Sequence, residues 1–290
     1  MFKIYKSLTT IDIVDPPEPI AVDVIENTFT DSDVALGDRW HYRVSATKNG
    51  IEKFSNDILA VAGEVDEYWS NVDFLLFADA SSFPSSNFVD VSANPKTISK
   101  YGSPSIVGPS AIAPKFDDGS IFLTSTTPSS LNTNLSEALA LQDFTIECHV
   151  YLTANPSQQN YIFFVGADGT DNTCAVSLTS GRQIWLEAKY SWTYNILIEG
   201  ATLSLNTWHH VCLMRKNGVF YLFVNGVLSG SSNLYTSNSI PGTIFTLGNR
   251  SGATTTTGQF KGYLSSVRVT KGVARYATAG FTSPTAKYPH

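Results

Sequence analysis

Apolar and polar residues alternate along most of this chain with a period of two, in short runs, as in strands with one greasy and one wet face. Phe144, Ile146, Cys148 and Val150 alternate with Thr145, Glu147, His149 and Tyr151, which predicts a strand over 144–152. Runs at 208–215, 219–224 and 227–229 are separated by Asn217-Gly218 and Asn225-Gly226. Asn-Gly tolerates the positive φ of a type I′ turn, so these runs predict a three-strand meander. Residues 244–248 and 262–270 supply two more strands. One stretch departs from the pattern: Asn134-Leu135-Ser136-Glu137 reads as a helix cap ahead of Ala138-Leu139-Ala140-Leu141, enough for a few turns. Nothing helical is long enough to cross over between parallel strands, so the sheets should be antiparallel. The fold class is all-β, and about 220 residues of this pattern suit one jelly-roll sandwich.

The first 63 residues form a separate group of short strands. Trp40, Tyr42, Val44 and Ala46 alternate with His41, Arg43, Ser45 and Thr47, Asn49-Gly50 follows, and 58–62 is expected to return as the partner strand. Asp15-Pro16-Pro17-Glu18-Pro19 is a stiff, extended connection. The pattern breaks at 63–70. We therefore expect a small β domain at 1–63, a linker at 64–70 and a jelly roll at 71–290.

Composition narrows the function classes. Hydrophobic residues make up 42% and charged residues only 15% of 290 residues, which fits half-exposed strands and excludes wholesale disorder. The net charge is −6, with no basic stripe for duplex nucleic acid. The longest apolar runs fall far short of the ~20 residues that span a bilayer, and residues 1–6 lack the apolar core of a secretion signal. Cys148, Cys174 and Cys212 cannot all pair and show no C-x-x-C spacing, as expected of buried thiols in a chain folded in a reducing cytoplasm.

Specific segments carry a resemblance. Asp143–Glu147, then Leu205-Asn206-Thr207-Trp208-His209-His210-Val211 with Arg215, and Phe220–Gly226 resemble the laminin-G-like branch of the concanavalin A-like jelly rolls. Leu247-Gly248-Asn249 and the ending Val267-Arg268-Val269-Thr270-Lys271-Gly272-Val273-Ala274-Arg275-Tyr276, followed by Phe281 and Pro284, are similar to the variant found in structural proteins of tailed bacteriophages. Such relatives usually carry an acid near Ser265 or Ser266, which is missing here. Residues 1–63 resemble part of a fibronectin type III sandwich: Phe29-Thr30-Asp31 as strand E, 40–46 as F, the last strand as G and 2–7 as C, with A and B absent. Trp40 stands where that fold usually has its corner tyrosine.

Jelly rolls of this clan include glycoside hydrolases, which need paired carboxylates. The closest match to their alternating acids is Glu64-Val65-Asp66-Glu67, where Glu67 points away from the other two, so a solvated acidic linker is the expectation. No G-x-S-x-G elbow occurs. His209 and His210 are neighbours on a strand, face opposite sides and cannot share an ion. Asp168, Asp171 and Asn172 lie in a turn rich in oxygen donors, either an ordinary hairpin loop or the start of a calcium site, which the laminin-G resemblance allows at the sandwich rim. Tyr190, Trp192 and Tyr194 alternate and should project from one face, with Lys189 and Asn195 beside them. They read equally as core or as a carbohydrate platform.

The resemblance implies a non-enzymatic bacteriophage virion protein, tail-associated, whose jelly roll displays a surface for host glycans. Two alternatives stay open: a capsid or neck decoration protein that stabilises the particle, and a glycan-cleaving hydrolase. Beyond a structural calcium no cofactor is implied. The expected partners are other virion proteins, reached through 1–63 as the docking end, with the chain multi-copy in a particle assembled in the bacterial host cytoplasm and no nucleic acid or membrane insertion involved.

Overall fold

A computed structural model describes residues 2–26, 28–34, 38–61, 66–123, 128–167, 169–250 and 258–290. The chain divides into two compact units, Met1–Val65 and Asp66–Tyr288. Segment 66–70, expected as linker, belongs to the second unit, where Asp66 is buried against Arg268 and Arg275. The solvated reading of Asp66 is thereby corrected, and Glu64 lies outside the described residues.

The first unit is one antiparallel sheet. Strands β1 (Phe2–Ser7), β2 (Ala21–Val24), β3 (Arg39–Lys48) and β4 (Ile51–Phe54) run in the order β2-β1-β3-β4, and β5 (Ile58–Val61) also pairs with β3. The return strand expected at 58–62 is β5, which pairs β3 over Ile58–Val61, and β4 is an additional strand directly after Asn49-Gly50. β4 pairs the end of β3 at once, the chain steps off at 55–57, and β5 pairs its beginning. Asp57 lies in the step, where its carboxylate accepts from the Ile11 backbone N–H and bridges His41 and Arg43. Phe29-Thr30-Asp31 forms no strand; Asp31 instead accepts from the Tyr42 hydroxyl at 2.7 Å and pairs with Lys6. One face of the sheet keeps an open apolar groove lined by Ile4, Phe29, Trp40, Tyr42, Val44 and Ile58.

The second unit is a sandwich of two large sheets. In one, β7 (Ser99–Tyr101), β10 (Ser130–Asn134), β12 (Asn160–Val165), β13 (Thr173–Leu178), β14 (Gln183–Tyr190), β15 (Thr193–Thr202) and β19 (Ile244–Leu247) are ordered β15-β14-β13-β12-β19-β10-β7, and β20 (Gly258–Gln259) lies parallel to β12. The other holds β6 (Val72–Leu76), β8 (Ser105–Val107), β9 (Ser120–Leu123), β11 (Phe144–Tyr151), β16 (Trp208–Lys216), β17 (Val219–Val224), β18 (Val227–Ser232) and β21 (Gly262–Lys271). Its order is β18-β17-β16-β11-β21-β9-β8, with β6 on β21. This is the antiparallel jelly roll that the alternation predicts. Phe144, Ile146, Cys148 and Val150 face inward against Phe163, Val176, Leu186 and Phe245 in one continuous core. All three cysteines are buried free thiols.

No α-helix forms at 134–141. Asn134 ends β10 instead of capping, and the Ser136 N–H that such a cap would take up donates to Asp73, as does the Ser136 hydroxyl. Leu135 and Leu139 are drawn into the core, and Ala140 takes a left-handed φ of 48° as it bridges to Ile240. The acid missing at 265–266 is supplied from elsewhere. Asp117 accepts from both serine hydroxyls and from the Ser266 and Ala78 N–H groups, bracing a bulge where Ser266 has φ 49°.

The outward row of β11 is also buried, because the C-terminal segment covers it. Glu147 accepts from Arg268 at 2.9 and 2.7 Å, from the Tyr276 hydroxyl at 2.8 Å and from His210 at 3.0 Å. Tyr288 stacks on the Arg268 guanidinium, 3.9 Å away. These charges hold the Glu147 carboxyl well below its usual range despite complete burial. His209, facing the other way, contacts Ser204 and Asn225. The outer face around Glu147 is thus occupied by the chain's own C-terminal segment.

Candidate functional site

The β14–β15 hairpin closes with Ser191-Trp192, at φ 50° and 62°. Two other hairpins of the sandwich make the same reversal with Asn217-Gly218 and Asn225-Gly226, residues suited to positive φ. For a bulky residue this conformation is an outlier, and the left-handed region costs on the order of 1–2 kcal/mol. Packing does not compensate, since Trp192 is 72% exposed. The strain is held locally: Asp171 Oδ1 accepts from the Trp192 N–H at 3.0 Å.

This turn corrects the expectation of one alternating strand through 189–195. Because the chain reverses at 191–192, Lys189 pairs directly with Tyr194, and Tyr190 with Thr193. Lys189, Trp192 and Tyr194 share the outer face, with the Lys189 ammonium 4.8 Å from the Trp192 ring centroid and 5.2 Å from that of Tyr194. Tyr190 belongs to the opposite face, where its ring lies 5.1 Å from that of Tyr235. Asn195 pairs with Ala188, on the row opposite Tyr194, and its amide donates to the Thr193 carbonyl. Three of the five candidates come together, and two do not. None of the three rings fills the core: Tyr190, Trp192 and Tyr194 are all among the exposed apolar residues.

Further in on the same outer face lies Glu187, opposite Ile196 and nearly buried. Its Oε1 accepts from the Gln159 amide and the Ser177 hydroxyl, and its Oε2 from the Tyr161 hydroxyl at 3.4 Å. Burial pushes this carboxyl up. The Arg250 guanidinium stands 5.9 Å from the Tyr161 ring centroid. Sequence reasoning missed Glu187, Gln159, Ser177 and Tyr161. A signal existed for the first, since Gln183, Trp185, Glu187 and Lys189 alternate with Ile184, Leu186 and Ala188.

The surface therefore joins two exposed rings, a cation between them and a buried acceptor. Aromatic faces stack on apolar ring surfaces, while the Glu187 oxygens accept from the Gln159 amide and the Ser177 and Tyr161 hydroxyls. Of the calcium candidates, Asp168 lies outside the described residues, Asp171 braces the Trp192 turn, and Asn172 adopts a left-handed φ of 58°. Among the described residues no three His, Cys, Asp or Glu side chains gather as a metal site.

Fold and surface define an all-β sandwich of lectin-like architecture. Residues 124–275 match the laminin-G family model of the concanavalin A-like lectin/glucanases superfamily, and the chain belongs to that family. Among solved structures it is similar to domain 4 of AbnA, a GH43 extracellular arabinanase from Geobacillus stearothermophilus in complex with arabinotriose. That likeness has a TM-score of 0.51 at 17% identity and covers 70% of this chain and 93% of that one. It is also similar to botulinum neurotoxin type C, whose cell entry is dependent upon interaction with two ganglioside molecules, with a TM-score of 0.51 at 9% identity. The serotype D binding domain gives 0.52 at 11%. The match covers 70% and 71% of this chain and spans about half of those two toxin chains, 48% and 49%. No curated protein matches in a sequence search.

Proposed function

We propose that the jelly roll is a glycan-binding module whose site is the outer face at the β14–β15 hairpin. The observation that carries this reading is the strained, exposed Trp192 beside Lys189 and Tyr194, a ring displayed at a cost where Asn-Gly would close the turn. Trp192 and Tyr194 stack on sugar rings, and Lys189 and Glu187 hydrogen-bond hydroxyls. Domain 4 of the arabinanase, a module of the same fold solved with arabinotriose, is consistent with this use. The module binds without cleaving. The support lies in the sequence, whose closest match to the alternating acids of the hydrolases is Glu64-Val65-Asp66-Glu67, with Asp66 taken up by Arg268 and Arg275.

The wider role is that of a bacteriophage virion protein, tail-associated, presenting this surface to host glycans. Its support is the resemblance of Val267–Tyr276 to phage structural proteins. The first unit is then the docking end for another virion protein, and its open apolar groove suits added strands from a partner. The test is direct. Purified chain is applied to an array of bacterial surface polysaccharides, and antibody against 71–290 is imaged on intact particles. Saturable binding lost in Trp192→Ala with an unchanged Tm, together with label on the tail, is the expected result. Binding insensitive to that substitution refutes the site, label on the capsid refutes the tail assignment, and reducing-end release refutes the non-enzymatic reading.

A further inference from the structure

The hairpin that carries Trp192 presents a second aromatic surface on its other side. Tyr190 turns away from Lys189, and its ring meets that of Tyr235 at 5.1 Å with a 42° tilt. The two rings form a wall of a shallow cleft whose other lining includes Asn172, Asn238 and Ser239, with Phe220 and Ile240 among its apolar members. Amide and hydroxyl groups beside two rings offer hydrogen-bonding partners to a sugar, as the cation and carboxylate do at the Trp192 surface. Tyr235 repeats the strain as well, standing at φ 61° in the turn after β18, where its carbonyl accepts from the Asn238 N–H. Two bulky rings in left-handed backbone thus flank one hairpin tip, and strain of this kind collects at ligand-binding positions.

Both surfaces belong to the same few residues of chain, since Tyr190 and Trp192 are separated only by Ser191. The cleft is too shallow to enclose a molecule and works as a stacking wall. We propose that Tyr190 and Tyr235 form a second sugar subsite, so that the ligand is an extended oligosaccharide that passes over the Ser191-Trp192 tip and is held on both sides of it. This rests on the glycan-binding reading of the Trp192 face and adds chain length as a requirement. A single sugar occupies one subsite, and only a longer chain reaches both.

The experiment uses the full chain and mono- to tetrasaccharides cut from the polysaccharide that binds best on the array. Tyr235→Asn removes the ring while keeping a residue that tolerates left-handed backbone, and Tyr190→Ser removes the other ring on a strand residue. Each is expected to weaken the tetrasaccharide by about five- to tenfold, the effect of one aromatic contact, and to leave the monosaccharide unchanged. Trp192→Ala weakens both. If the two tyrosine variants bind every length as the parent does while Trp192→Ala does not, the second subsite is refuted and the first stands. If no polysaccharide binds the parent chain, the glycan reading itself fails and the subsite with it. A Tyr190→Ser loss matched by a lower Tm, with Tyr235→Asn neutral in binding, makes the ring pair structural and also overturns the proposal.

Discussion

Replacing Ser191-Trp192 with Asn-Gly should make the protein more stable and abolish its ligand binding. Both residues sit in left-handed backbone, at φ 50° and 62°. Glycine at the second position relieves about 1–2 kcal/mol, and asparagine at the first adds a few tenths. Against this stands the loss of the Lys189 cation contact over the ring, about 0.5–1 kcal/mol at an exposed site. Little other packing is lost, because most of the ring is in solvent. The bond from the backbone N–H to Asp171 survives in glycine. The net gain is about 1 kcal/mol. Urea unfolding followed by tryptophan fluorescence reads the change, the remaining tryptophans serving as reporters. A loss of more than about 1 kcal/mol would show that the ring holds the hairpin together, and the argument from strain to function would collapse.

Other expectations follow from the buried charges. Arg268→Met leaves Glu147 buried without its main partner and should cost about 3–5 kcal/mol at pH 7. Because Glu147 is held below its usual range in the folded chain, its contribution is present above the unfolded value, about 4.3, and is lost as pH falls. The deficit of Arg268→Met should therefore hold near pH 7 and shrink in unfolding curves taken as pH falls below about 4.3, and a deficit constant into that acid range contradicts the network. Glu187 has the opposite sign: its raised carboxyl favours the fold below the unfolded value and loses that contribution as pH rises. Glu187→Gln should gain stability relative to the parent from pH 4 to pH 7 while weakening glycan binding, and a flat difference argues against burial as the cause. A 1–63 fragment should aggregate or stay unfolded while 66–290 remains soluble, and well-dispersed amide signals from a monomeric 1–63 would contradict a docking end that a partner completes.

The legible parts of the fold were those in which local pattern and tertiary burial agree. The alternation over β11 and the two Asn-Gly reversals specify strands and turns without outside help. Distant partners defeated local reading elsewhere. The Asn134 cap signal is overridden because Asn134 ends β10 and the Ser136 N–H it would take up donates to Asp73, 63 positions away. Asp66 sits in an acidic run, yet two arginines about 200 positions later bury it. At the site, Ser191-Trp192 lacks the Asn-Gly signal of the other reversals, so Tyr190, Trp192 and Tyr194 imitate one strand face. The reversal became visible only in the pairing of Lys189 with Tyr194. Glu187 was missed because a lone acid on an alternating strand looks like an ordinary solvent-facing residue. Its burial depends on Gln159, Tyr161 and Ser177 from two neighbouring strands and the loop before them.

The central claim is that the outer face at the β14–β15 hairpin holds sugar. Titrating the isotope-labelled full chain with fragments of the best-binding polysaccharide, and following its amide and indole signals, tests this most directly. The account predicts saturable shifts concentrated at Lys189, Trp192, Tyr194 and Glu187, absent in the Asn-Gly variant. Shifts confined to the first unit, or none at those four residues while the polysaccharide still binds, would contradict it.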